Sequence, residues 1–126
     1  MLLKKLCSDF IAKSNENFAL YELLKNQNKF IEWQAVAIFY SALCITKAYL
    51  YSKGIKINSI NSHDDIKFWL TSESSLKHTN VYEVYSHLYR HSRNARYLTN
   101  KRITNEIINR MLKDYQIVKD NLKIDL

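Results

Sequence analysis

The 126-residue sequence predicts an all-α fold: one domain over residues 1–126, built as an up-and-down bundle of four to five helices. Three observations predict it. The chain holds one glycine and no proline, and strands need turns that lean on those two residues, which leaves long helices joined by short connections. Apolar residues recur every three or four positions along most of the length. The stretch Glu32 to Lys53 is apolar on most sides of a helical wheel, as a central helix enclosed by the others must be.

From Leu2 to about Asn26, Leu3, Leu6, Phe10, Phe18, Tyr21 and Leu24 describe one amphipathic helix with a weak point near Ser14 and Asn15. Asn26, Gln27 and Asn28 form a polar break, and the central helix starts at about Lys29. On its wheel Trp33, Val36, Ala37, Tyr40, Cys44, Ala48 and Tyr51 share a stripe, and Lys47 falls inside it. A buried, unpaired ammonium is costly. Either Lys47 lines a cleft, or it reaches water past Tyr51 or pairs with Asp64 or Asp65. Gly54 is the natural left-handed stop of this helix. Ile55 to Asn61 lacks a helical period and reads as an ordered loop over the bundle.

Ser62 or Asn61 caps a short helix from His63 to about Ser72, with Asp64 and Asp65 where the helix dipole favours them and Ile66, Phe68 and Trp69 as packing residues. A second polar loop, Glu73 to Thr79, leads to a helix from about Asn80 to Leu98. Thr99 or Asn100 caps the last helix, whose inner face is Ile103, Ile107, Met111, Tyr115, Val118 and Leu122.

The formal charge of +7 points to a nucleic acid, a nucleotide or an acidic protein as partner; a lysine-rich solubilising surface is the plain alternative. All five arginines lie in the last third. Cys7 and Cys44 lack metal-ligand spacing and read as small buried thiols of a reducing compartment. The N-terminus lacks the apolar run of a signal peptide, and no apolar stretch of membrane-spanning length goes uninterrupted. A cytoplasmic protein without a membrane partner is the expectation. His63, His78, His87 and His91 show no zinc-like pairing, and His87 with His91 share a polar helix face that suggests two solvated side chains. No metal and no cofactor is expected. A single glycine leaves no phosphate-cradling loop, and no serine sits in a nucleophile elbow.

The fourth helix carries the most chemistry. Beside its core stripe of Val81, Val84, Leu88 and Ala95, the residues Tyr82, Tyr85, Tyr89, Arg93 and Arg96 line up along one edge. Two arginines three residues apart converge on one anion, and neighbouring tyrosines can stack on a base. The competing account has Arg93 and Arg96 pairing with Asp64, Asp65 or Glu32 inside the fold. Arg90 and Tyr97 fall on a more polar side.

The runs EWQAVAIFYSALCITKAYLYSKGI, SHDDIKFWL and YSHLYRHSRNARYL, in this order, resemble the free-standing bacterial proteins of the HEPN domain superfamily over about Asn15 to Leu98. Tyr40, Ser41, His63, Arg93, Arg96 and Tyr97 occupy matching positions. The resemblance implies a helical homodimer with an RNA- or nucleotide-binding cleft near its interface. It implies either a metal-independent endoribonuclease of a toxin–antitoxin or phage-defence system, or a non-catalytic module that binds an antitoxin or nucleotidyltransferase partner. The superfamily's ribonuclease signature is an Arg followed a few residues later by a His; here Arg93-Asn94 starts it and no His follows, while Cys44 stands where the subgroup has a His. The enzymatic question therefore stays open. For cleavage, His63 or His87 would supply the base and Arg93 with Arg96 the cations. Tyr40, Lys47, Tyr85, Tyr89, Arg90 and Tyr97 would be RNA or nucleotide contacts.

Overall fold

A computed structural model describes residues 2–97 and 102–124, which are helical with no strand among them. Helices α1 (Leu2–Asn26) and α2 (Ile31–Ser52) form a long hairpin. Cys7, Ser14 and Tyr21 on α1 and Gln34, Ala37, Ser41, Cys44, Ala48 and Tyr51 on α2 are all buried. Their steps of three, four and seven residues are those of helices that pack along their length with side chains interdigitated. Small residues at the middle of the seam let the backbones approach. There Ser14 Oγ donates to the Ser41 carbonyl (2.8 Å) and Ser41 Oγ to the Ser14 carbonyl (2.7 Å), and Tyr115 OH lies 2.8 Å from Ser41 Oγ. The weak point expected at Ser14 is thus an inter-helix contact, and α1 runs through it unbroken.

The break at Asn26 to Asn28 is a turn with Asn28 at φ 52° and Phe30 at φ 57°. Asparagine tolerates the left-handed region and phenylalanine does not. Phe30 is exposed, so Phe30→Gly is expected to raise stability by about 1 kcal/mol in urea unfolding. At the other end Gly54 takes φ 87°, and Lys53 N and Gly54 N return to α2 carbonyls, the left-handed stop that the sequence predicts.

The loop after Gly54 includes a 3-10 turn, Ile57–Ser59, held down by the Trp69 indole donating to the Ser59 carbonyl (3.1 Å) and by buried Ile60. Helix α3 (His63–Ser72) is capped by Ser62, whose hydroxyl accepts from Asp65 N. Its packing residues are Ile66 and Leu70, with Trp69 partly buried beside them; Phe68 faces solvent, because the inward stripe steps by four from Ile66. Helix α4 spans Val81–Tyr97. The predicted caps Thr99 and Asn100 lie outside the described residues. Helix α5 (Asn105–Asn121) is capped by Thr104, whose hydroxyl accepts from Ile107 N (3.2 Å), so Ile103 is buried ahead of the helix and not within it. Thr104→Ala is expected to cost about 1 kcal/mol by thermal unfolding.

Pairwise contacts fix the order. Phe10 meets Tyr51 and Ser14 meets Ser41, so α1 and α2 are antiparallel; Phe39 meets Tyr85 while Trp33 and Val36 face Ala95 and Arg96, so α2 and α4 are too; and His87 meets Asp114, which puts α5 beside α4 in a helical bundle. The fold closes where Phe18 of α1 stacks on Tyr115 of α5. Thirteen of the 22 residues of α2 are buried, because α1, α4 and α5 all pack on it. By length and composition α2 is apolar enough to cross a membrane; its burial inside the bundle accounts for that apolarity.

Candidate nucleic-acid interface

The seam between α2 and α4 gathers most of the residues singled out from sequence. Phe39, fully buried on α2, has its ring within 6 Å, centroid to centroid, of Tyr40, His63, Tyr85 and Tyr89. This aromatic floor sets the positions of the polar groups above it. His63, the first residue of α3, stacks against Tyr89 with ring centroids 3.9 Å apart, and its Nδ1 lies 2.8 Å from Tyr85 OH. Arg96 donates to Tyr40 OH (3.1 Å) and to the Ser92 carbonyl (3.4 Å). Arg93 reaches Tyr89 OH at 3.5 Å, the outer limit of a hydrogen bond.

Both guanidinium groups lie on aromatic faces: Arg93 is 5.8 Å and Arg96 5.0 Å from the Tyr97 ring centroid, and Arg96 is 5.6 Å from that of Tyr40. Such contacts orient an arginine without neutralising it. Lys47, one turn below Cys44, lies over Phe10 and lines a pocket with Leu43, Asn61, Ser62, His63 and Ile66. A shallow groove on the outer side of α4 is lined by Ser86, Tyr89, Arg90, Arg93, Asn94 and Tyr97. Tyr97 and Arg90 therefore adjoin Arg93, although the wheel puts them on another side: long side chains sweep across the turn that separates them.

Cations dominate the seam, with the Glu32 carboxylate at its far end. Among the described residues no Lys or Arg has a carboxylate within 4.0 Å, Arg93, Arg96 and Lys47 included, and the one close approach of a basic side chain to an acid is that of His87 to Asp114 (3.9 Å). Pairing of Arg93 and Arg96 with Glu32, Asp64 or Asp65, the plain alternative in the sequence, does not occur there. Burial holds the His63 pKa below its usual value, and Arg96, Lys47 and Arg93 push it further down against a smaller opposing pull from Asp64. The imidazole is therefore neutral at neutral pH.

Its tautomer follows from Tyr85. Burial raises the pKa of that phenol, which stays protonated, and among the described residues its hydroxyl has one partner, His63 Nδ1. The hydroxyl proton is satisfied when Nδ1 accepts, which leaves the imidazole proton on Nε2. In that tautomer His63 offers a hydrogen-bond donor toward an anion. Nitrogen-15 NMR of the imidazole is expected to report the Nε2–H form in the wild type and to lose that preference in Tyr85→Phe.

Two sequence expectations change. Tyr85 is buried behind His63 and cannot stack on a base; it orients the imidazole. His87 lies on the opposite flank of α4, facing Asp114 of α5, away from His63 and the arginines. His91 follows it there, with Nδ1 buried and without a partner among the described residues. A wheel shows this face as polar, but α5 lies beside it, so both side chains are half-buried, His87 keeping contact with solvent while His91 Nδ1 is enclosed. Burial depresses the His91 pKa, as it does that of His63, and Arg90, His87 and Arg110 add to the effect. The unfolded chain therefore takes up protons first as pH falls through 6.5, and stability drops from there toward the lower native values. Urea midpoints are expected to fall between pH 7.5 and 5.5, less steeply in His63→Gln with His91→Gln.

Cys7 and Cys44 are free and buried, and burial raises both thiol pKa values, at Cys44 against smaller opposing pulls from Lys47 and Lys13. Cys44 is thus an inert thiol in the α1–α2 seam. Among the described residues no three His, Cys, Asp or Glu side chains converge as a metal would require. Comparison with protein-family models, curated proteins and solved structures finds no match.

Proposed function

We propose that this chain is a HEPN-like RNA-binding protein of a bacterial toxin–antitoxin or phage-defence type system, whose α2–α4 seam holds the phosphates of a single strand. The observation that carries the reading is a run of donors, Lys47, His63, Arg93 and Arg96, on an aromatic floor, in which no cation has a carboxylate within 4.0 Å among the described residues. Along α2 the run extends from Lys47 to the level of Trp33, fourteen residues or about 21 Å of helix, which suits a stretch of backbone better than a single phosphate. Arg93 and Arg96 make the strongest phosphate contacts, because a guanidinium donates two parallel hydrogen bonds. The His63 Nε2–H adds a neutral donor and Lys47 a second charge. Tyr40, Tyr89 and Tyr97 offer faces for bases.

Binding fits the resting geometry better than cleavage does. RNA transesterification needs a base for the ribose 2′-hydroxyl, and His63 holds its proton on the nitrogen that faces away from Tyr85. Fluorescence anisotropy with a labelled single-stranded 12-mer tests the reading. Saturable binding at 50 mM salt with a log–log salt slope near −2 to −3, as three or four phosphate contacts require, is the expected result. No binding at that salt would remove the proposal. The same samples, resolved on a gel, measure cleavage, and intact RNA is expected.

A second reading, a non-catalytic dimeric module for a protein partner, is favoured by the exposed apolar residues Leu20, Leu23, Phe30 and Trp33 at one end of the α1–α2 hairpin. Light scattering at micromolar concentration decides it: a monomer argues against that reading.

A further inference from the structure

At the far end of the same seam, Glu32, Trp33 and Val36 from the first turns of α2 face Ala95 and Arg96 from the last turn of α4 across a pocket of about 220 Å³. The pocket lies next to the Arg96–Tyr40 hydrogen bond, so its inner wall is the phosphate-binding guanidinium itself. We propose that this pocket is a nucleobase subsite selective for guanine, placed beside the phosphate that Arg96 holds. The proposal rests on the RNA-binding reading above and adds to it which base the strand presents here.

The lining carries the argument. Trp33 is 60 % exposed, unusual for an indole in a domain that buries most of its large side chains, and it offers a flat apolar face at the pocket edge. Val36 and Ala95 are small, half-buried apolar residues that leave room for a ring. The volume falls below the roughly 300–1,000 Å³ of sites that enclose a whole drug-sized ligand, so it suits one base and not a complete nucleotide.

Glu32 supplies the selectivity. Its carboxylate shares the pocket with Arg96, yet the two are more than 4.0 Å apart and Glu32 has no other cation within that distance among the described residues. An ionised carboxylate only accepts hydrogen bonds. Guanine is the base whose pairing edge presents two adjacent donors, the ring N1–H and the exocyclic amine. Adenine and cytosine each set an acceptor beside their amine, and uracil flanks its one N–H with two carbonyls, so each meets the carboxylate with a repelling lone pair. A base stacked on Trp33 with its edge at Glu32 keeps its sugar–phosphate on the Arg96 side.

The test uses the full chain carrying Trp69→Phe, which leaves Trp33 as the sole indole reporter. Guanosine, adenosine, cytidine and uridine 5′-monophosphates are titrated in turn. Expected is saturable quenching by the guanosine nucleotide with an affinity about tenfold or more above the other three, as one bidentate base contact provides. Glu32→Gln is expected to level the four nucleotides. RNA binding that depends on Arg93 and Arg96 but shows no guanine preference overturns the subsite and leaves the RNA reading standing; loss of all RNA binding overturns both. Trp33 emission that shifts to shorter wavelength as the protein is concentrated, together with a doubled mass, would assign this face to a second copy of the chain and likewise overturn the subsite.

Discussion

Replacing Arg93 and Arg96 together by alanine is expected to weaken single-stranded RNA binding by about 100-fold, since each removes a charge-assisted contact worth roughly 1.5 kcal/mol or more. The same variant is expected to flatten the log–log salt dependence by about 1.4, the contribution of two released counterions on a single strand. Stability should stay within about 0.5 kcal/mol of the wild type, because neither guanidinium is tied to a carboxylate whose charge would be left stranded. Anisotropy at two salt concentrations and one urea titration measure all three quantities. An unchanged affinity would show that the arginines do not contact RNA. A stability loss of several kcal/mol would make them structural.

The second large effect is at the helix junction. Ser41→Val is expected to cost about 3 kcal/mol, read as a lower urea midpoint at constant m-value. Ser41 is fully buried, and its hydroxyl donates to the Ser14 carbonyl and also lies within hydrogen-bonding distance of Ser14 Oγ and Tyr115 OH. Valine leaves the Tyr115 hydroxyl buried with no partner and adds bulk in the α1–α2 seam, where Ser14 and Ser41 exchange hydrogen bonds. Ser41→Ala with Tyr115→Phe is expected to recover most of the loss, since removing both partners strands nothing. If the double variant were as unstable as the sum of its single ones, the hydrogen bond would not be the cause.

The two predictions separate what binds from what holds the fold, although their residues sit on the same two helices. Tyr40 and Ser41 are neighbours in sequence, yet one faces α4 and its arginines while the other faces α1 and α5. A rotation of 100° per residue makes α2 serve both purposes at once. Its extreme burial follows from that double duty.

Much was legible in the chain itself. The near-absence of glycine and proline sufficed for the helices, Gly54 and Ser62 marked two of their ends, and the alignment of Tyr89, Arg93 and Arg96 came from spacing alone. A local rule acts in each case: a left-handed stop, a side chain that accepts from the third residue on, a fixed angular step. Lys47 was recognisable as an anomaly, but only the position of His63, brought in by α3, gives it a neighbour in a pocket. Tyr85 and His87 could not be sorted by a wheel. Both lie on faces whose exposure depends on what packs there, Phe39 and His63 over one and α5 over the other.

The sequence by itself determined which segments are helices and which side chains share a face, because both follow from interactions within a few residues. Tertiary structure alone decided that Arg93, Arg96 and Lys47 have no carboxylate partner among the described residues, that His63 is held neutral, and that Glu32 and Trp33 meet Arg96 across a pocket. Charge pairing and burial depend on distances between segments remote in the chain, and no periodicity encodes those distances.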